Sequence, residues 1–246
     1  MATKTQHLCT ALLCLAPLIA WGDEPMRRVT LYDGLVTLEV PTSWNEIPTE
    51  TLEFYSLRSA EASGGRMAEV YQLGFRPDDP ELDFALPQIL IQIRESGREP
   101  YGQFLRLPAS DLLGEMSDDV TSEHAGPLLR GVRLDEVAFD RDRFALHLAN
   151  SLELQLEGRA IVTSVSYLTE RGYFILHCYA LEAQMDQTAP LFSHVVDSIE
   201  FADELRYRPR LADRWPPHPS TVAFTAAGIT AAILVIMVIA TRRQRA

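Results

Sequence analysis

At 246 residues the chain has room for one domain of ordinary size with short flanking segments, and 47% hydrophobic with 23% charged residues supplies a core and excludes a disordered chain. The formal charge of −12 deepens to −16 over residues 23–220, where 18 arginines face 34 acids; such a body repels phosphate backbones, so no nucleic acid is expected as a partner. Lys4 is the only lysine, which removes Schiff-base chemistry, a phosphate-loop lysine and a Ser-Lys dyad from a chain that has lost its N-terminus.

Residues 1–22 read as a secretory signal peptide: Lys4 in a short basic start, an apolar core from Leu8 to Ile19, and a small-residue exit at Ala20-Trp21-Gly22, with cleavage before Asp23. Cys9 and Cys14 fall inside it, leaving Cys178 alone and no internal disulfide. The soluble domain is expected over 23–205. Val29 to Tyr32 and Leu35 to Val40 flank Asp33-Gly34, a hairpin signal because both turn positions tolerate positive φ. Pro41 and Trp44 close that strand, and Thr49 to Ala62 has helical spacing. Met67 to Phe75 and Gln88 to Arg94 are the next strands, separated by the acidic loop Pro77 to Asp83. Glu99 to Glu115 is expected to be helical in part, interrupted by Gly102 and Pro108. Four strand-like runs follow: Val132 to Phe139, Arg143 to Leu156, Arg159 to Thr169 and Tyr173 to Leu181.

In the last of these, Phe174, Leu176, Cys178 and Ala180 point one way and Tyr173, Ile175, His177, Tyr179 and Leu181 the other, so both faces are largely apolar. Ala160, Val162 and Leu168 against Ile161, Val165 and Tyr167 repeat the pattern one strand earlier. A strand covered on both faces belongs to a layered fold. Leu152, Leu154 and Leu156 alternate instead with Glu153, Gln155 and Glu157, as an edge or half-exposed strand would. Thr188 to Ser198 is the last helix, with Pro190 placed in its first turn and Phe192, Val195, Val196 and Ile199 on one face; Ile199 to Phe201 returns to strand.

That ending, and the opening Leu38-Glu39-Val40-Pro41-Thr42-Ser43-Trp44, resemble the two ends of PsbP-like domains. The resemblance covers about fifty residues and carries no catalytic or binding residues over. It implies an α+β fold, an antiparallel sheet flanked by helices as an α/β/α sandwich, which known members use mostly for binding and assembly.

Residues 206–221 read as a Pro/Arg-rich linker, a solvated stalk with Pro209, Pro216, Pro217 and Pro219. The uncharged run 222–240 is long enough, at about 28 Å, for one transmembrane helix, and 241–246 is a basic tail holding Arg242, Arg243 and Arg245. Arginines flank both sides of the run, so the positive-inside rule alone does not orient it; the signal at 1–22 does, leaving the domain extracytoplasmic and the C-terminus cytoplasmic. Ala223, Ala227 and Ala231, with Gly228 and Ala232 beside them, offer a helix-pairing stripe for self-association.

The chain contains no HExxH, GxSxG, GxGxxG, phosphate-loop or CxxC pattern. The raw materials for a site are His124, His147, His177, His194, His218 and Cys178. His177 and Cys178 alternate across a strand and cannot form a nucleophile–base pair; His147 and His177 are expected on one face of neighbouring strands, short of a third metal ligand. Two acidic groups, Glu115, Asp118, Asp119, Glu123 with His124, and Asp78, Asp79, Glu81, Asp83, lack the spacing of a calcium loop and read as solvated turns. Asp140-Arg141-Asp142-Arg143 reads as a charged hairpin turn. No catalytic, cofactor or metal residues are assigned. The expected function is a single-pass, membrane-anchored extracytoplasmic module that binds a protein partner or assembles an envelope complex; the alternative is a small-molecule hydrolase or other enzyme with a spatially assembled His/carboxylate site.

Overall fold

A computed structural model describes residues 24–62, 70–77, 86–106, 129–154 and 158–214. The signal peptide, the run 222–240, the tail, His124, His218 and both acidic groups lie outside these residues. Among the described residues no helix is long and apolar enough to cross a membrane.

Among the described residues the fold is mostly antiparallel sheet with two α-helices. Strands β1 (Met26–Leu31) and β2 (Val36–Pro41) form the expected hairpin. Its turn is longer than the Asp33-Gly34 pair: Tyr32, Asp33 and Gly34 have φ of 51°, 55° and 88°, and the Gly34 and Leu35 amides donate to the Leu31 and Tyr32 carbonyls. A left-handed tyrosine is unusual; here its hydroxyl bonds Glu95 and its ring carries the Arg171 guanidinium at 5.8 Å. With β10 (Glu200–Phe201), these strands make a three-stranded sheet ordered β1-β2-β10.

The larger sheet has seven strands: β3 (Trp44–Glu46), β4 (Leu73–Pro77), β5 (Gln88–Arg94), β6 (Leu129–Asp140), β7 (Ala145–Leu154), β8 (Gly158–Thr169) and β9 (Gly172–Leu181). Their order is β3-β4-β5-β9-β8-β7-β6. Central β9 is buried along nearly its whole length. One of its faces, Phe174, Leu176, Cys178 and Ala180, joins Ile89 and Ile91 of β5 and Val165 and Tyr167 of β8. This core is completed by the small sheet and by helix α2 (Met185–Asp197), which lays Leu191, Phe192 and Val195 into it. At about 1.5–3 kcal/mol per buried large apolar side chain, it is the main stabilising mass of the domain. The opposite face carries Tyr173 and Ile175 with Leu146, Leu148, Leu168, Phe104 and Tyr207. Helix α1 (Thr49–Ala62) spans the expected residues and packs on β4.

Four expectations change. Within the described residues β4 begins at Leu73, the Tyr71 amide being taken by the Ser56 hydroxyl of α1, and Met67 to Glu69 of the expected strand lie outside them. β7 is interior, between β6 and β8, and β6 is an edge; along β7 Asn150 and Ser151 are buried while Glu153 is exposed. α2 starts at Met185, so Pro190 sits inside the helix; its ring and the Asp186 position one turn earlier are exposed, where solvent can take the place of the missing amide. The expected helix over Glu99 to Glu115 is, within the described residues, a six-residue 3-10 helix, Tyr101–Arg106, and Gly102 lies inside it without breaking it.

Candidate functional site

Two polar assemblies stand out from the apolar frame. The first lies on the Tyr173 face of the large sheet. Antiparallel register aligns Asn150, Val162, Tyr179 and Gln88 in one row across β7, β8, β9 and β5, and Leu148, Ser164, His177 and Leu90 in the next. His177 is fully buried. Its Nδ1 lies 2.8 Å from Ser164 Oγ and its Nε2 3.2 Å from Gln92 Oε1. With the Gln92 carbonyl facing the ring, Nε2 donates and Nδ1 accepts from the serine, so one proton satisfies both contacts and the neutral ring fits. Burial, aided by Arg94, pushes the His177 pKa down to about 3. Tyr71 meets the ring edge-on at 6.2 Å. Around this centre both amide atoms of Asn150 and Gln88, Ser166 Oγ and Gln92 Nε2 have no protein partner.

The other candidate residues are dispersed. His147 and His177 do not share a face: β8 separates their strands, His147 is opposite Val165, and Val165 is opposite Leu176, so His147 lies on the face of Leu176 and His177 on the other. A one-residue difference in phase sends side chains to opposite faces. Burial lowers the His147 pKa. Cys178 faces the α2 core, where burial pushes its thiol up, away from the reactive thiolate. His194 is exposed on α2, 2.7 Å from Glu39. The Asp140 to Arg143 stretch is a hairpin turn in which Asp140 accepts the Asp142 and Arg143 amides and Arg143 reaches Asp197 at 2.8 Å. Among the described residues no group of three or more His, Cys, Asp or Glu could hold a metal ion.

The second assembly lies where a linker was expected. Residues 206–214 of the expected linker 206–221 are folded back on the domain as a strap, and 215–221 lie outside the described residues. Arg206 bridges to Thr169, and Leu205 and Tyr207 are buried. Arg98 grips the strap from below. Its Nη1 and Nη2 donate to the two Asp213 carboxylate oxygens at 2.7 and 2.5 Å, Nη2 also donates to the Arg208 carbonyl at 2.7 Å, and Nε donates to Glu170 at 3.0 Å. The guanidinium lies 4.5 Å from the Tyr207 ring centroid. Asp213 also accepts the Arg210 amide, and Glu170 accepts the Arg208 amide and the Arg210 side chain. The Arg98 hydrogen bonds hold the Asp213 carboxyl down at about 2, and Asp213 in turn raises the Arg98 guanidinium pKa. Tyr207 seals the grip by donating to the Glu99 carbonyl and accepting the Tyr101 amide. A side chain at Gly102 would place Cβ 2.5 Å from the Asp213 carbonyl oxygen, so glycine there lets the 3-10 helix touch the strap backbone to backbone.

Comparison with known proteins adds the following. No protein-family model matches the chain, and no curated protein matches it in sequence. Among solved structures it is similar to cyanobacterial PsbP (CyanoP) from Synechocystis sp. PCC 6803, at 13% identity and a TM-score of 0.47, covering 72% of this chain and 92% of that one. It is also similar to the Ran-binding protein Mog1p of Saccharomyces cerevisiae, at 12% identity and a TM-score of 0.42, covering 74% and 97%. A third similar structure is LpqN of Mycobacterium tuberculosis, involved in cell envelope biogenesis, at 13% identity and a TM-score of 0.35, covering 73% and 92%. PsbP, the family that the two ends of the domain resemble, is thus among these structures.

The strap residues were missed by sequence reasoning. The available signal was Tyr207, an aromatic inside an arginine-proline run, and Asp213, the single acid between Arg206 and Arg214.

Proposed function

We propose that the protein is a single-pass, membrane-anchored extracytoplasmic module that binds a protein partner and helps assemble an envelope complex, without a catalytic step of its own. The observation that carries this reading is the strap. Arg98 and Glu170 fasten residues 206–214 to the sheet, and only the seven residues 215–221 separate that strap from the apolar run at Val222. A flexible tether would let the domain search at random. A fastened one presents a chosen surface at a defined height above the bilayer, which suits assembly with a neighbour.

The surface offered is the outer side of α1. Leu57 is exposed on that helix, and Val70 is exposed beside Tyr71, whose amide bonds α1 through Ser56. Beside the exposed Glu50 and Glu53 of α1, these apolar groups fit a protein partner better than an anionic lipid or a nucleic acid. The placement outside the cytoplasm rests on residues 1–22 as a cleaved signal and on 241–246 as an inner basic tail.

The test is a photo-crosslinking residue at Leu57 in the full chain, irradiated in intact membranes. The expected result is a discrete protein adduct that disappears when the probe is moved to exposed Glu153 on β7. No adduct at Leu57, together with turnover of a small-molecule panel by the purified chain, overturns the reading. Amine-directed reagents do not serve, because residues 23–246 contain no lysine.

A further inference from the structure

We infer that the outer side of the strap, Arg206, Arg208, Arg210 and Leu211, rests on anionic lipid headgroups, so that the end of the domain bearing the β8–β9 turn faces the bilayer. This deepens the anchored reading and rests on it.

Charge is the first argument. Between Arg206 and Arg214 the chain holds four arginines and one acid, and that acid, Asp213, is buried under Arg98. What the strap shows to solvent is therefore positive, in a domain whose net charge over 23–220 is −16. Anionic lipid repels the rest of the molecule and attracts this one edge, which selects an end-on orientation. The side chains of Arg206, Arg208 and Arg210 are 62%, 68% and 65% exposed. Their acidic neighbours are Asp203, at 3.7 Å from Arg206 and 4.0 Å from Arg208, and Glu170, at 3.2 Å from Arg210. The Asp203 pairs are exposed on both sides and hold their partners weakly, and Arg206 and Arg208 each direct one nitrogen to the Phe201 and Asp203 carbonyls, so both keep donors that can meet phosphate, while Arg210 stays on Glu170 and adds its exposed charge.

Second, Leu211 is 81% exposed at the start of a 3-10 turn, Leu211–Arg214. It is the most exposed large apolar side chain among the described residues, and it sits directly after the arginines. An apolar tip ringed by arginines matches the interface, where the tip enters the acyl boundary and the charges stay with the headgroups. The third is reach. The seven residues 215–221 span at most about 25 Å even when fully extended, which tethers the strap near the point where the apolar run would enter the membrane.

The experiment uses the full chain, with Cys9 and Cys14 replaced by serine, in nanodiscs of phosphatidylcholine alone or mixed equally with phosphatidylglycerol. A nitroxide is attached at Leu211→Cys, or at Ala183→Cys beyond the far end of β9, about 30 Å away along the strand; Cys178 is buried and stays unlabelled. Power saturation then compares access of oxygen with that of a water-soluble nickel chelate. At position 211, oxygen access is expected to exceed nickel access in the phosphatidylglycerol discs. The order is expected to reverse in pure phosphatidylcholine and when Arg206→Gln and Arg208→Gln are combined, while nickel dominates at position 183 throughout. A chain held in the disc whose label at 211 stays open to nickel overturns the docking of the strap alone. A chain that elutes apart from the discs overturns the anchor, and the docking with it.

Discussion

The His177 face and the Arg98 clasp are both polar assemblies withdrawn from solvent, yet they are built on opposite terms. His177 sits between strands of one sheet, uncharged, with Ser164 and Gln92 as partners and several amide atoms around it left unpaired. Arg98 sits at the sheet's end, fully charged, bound to Glu170 and to a segment that arrives from more than a hundred residues away. The difference teaches where specificity is placed. The sheet's middle tolerates polar groups because cross-strand register already fixes it, and proton-balanced partners keep them neutral. The strap has no ladder to hold it beyond one bridge to Thr169, so its position is set by a bidentate ion pair and a seated tyrosine.

The largest effect therefore belongs to Arg98→Ala. It leaves Asp213 and Glu170 without their main counter-charge and frees the Tyr207 ring, and loss of one partner from a nearly buried pair costs about 4 kcal/mol. Chemical denaturation is expected to show that loss. Trypsin is expected to cut rapidly after Arg206 and Arg210, in a strap it attacks slowly in the native chain; Arg208 is shielded by Pro209. Unchanged cleavage would mean that the ion pair does not hold the strap.

Acid separates the two regions. His177 has its folded pKa depressed to about 3, against an unfolded value near 6.5. Its contribution is complete above pH 6.5 and falls as pH drops toward 3, because the unfolded chain takes up a proton that the buried ring refuses. Between pH 6.5 and 4.5 this removes about 2 kcal/mol. Asp213, depressed to about 2 by Arg98, keeps its contribution throughout that window and loses it only as pH falls from about 4 toward 2. Denaturation at a series of pH values should thus find a slope near pH 5.5 that His177→Gln reduces, leaving the share contributed by the lowered His147 pKa, while Asp213→Asn leaves the slope in place. A His177→Gln chain with the native slope would place the acid sensitivity elsewhere.

The same contrast explains what could be read from the sequence. Phe174, Leu176 and Cys178 against Tyr173, Ile175 and His177 declare a strand buried on both faces, because a period of two survives whatever packs on top. Thr49 to Ala62 and Asp33-Gly34 are local signals and were legible for the same reason. The separation of His147 from His177 was not, since it depends on the order of strands and on the register in which β7, β8 and β9 pair, which residue type does not fix. The clasp was less legible still. Arg98, Glu170 and Asp213 are 72 and 115 residues apart, and an arginine in a Pro-rich run looks the same whether it is solvated or seated.

The smallest expected effect is the sharpest on mechanism. Gly102→Ala changes no charge, but its methyl group would lie 2.5 Å from the Asp213 carbonyl oxygen and 2.6 Å from the Arg214 carbonyl carbon and oxygen. Those are backbone atoms, which cannot turn aside as a side chain would, so the strap must retreat as a unit. If the ion pair is what holds it, the long Arg98 side chain can follow, and the loss is about 1 kcal/mol, or roughly fivefold more of the open form. Trypsin cleavage after Arg210 reports that population when reclosing is fast and should rise by that factor. Cleavage as fast as in Arg98→Ala would instead show that close backbone packing at Gly102 positions the strap, and that the charges only complete a contact made by shape.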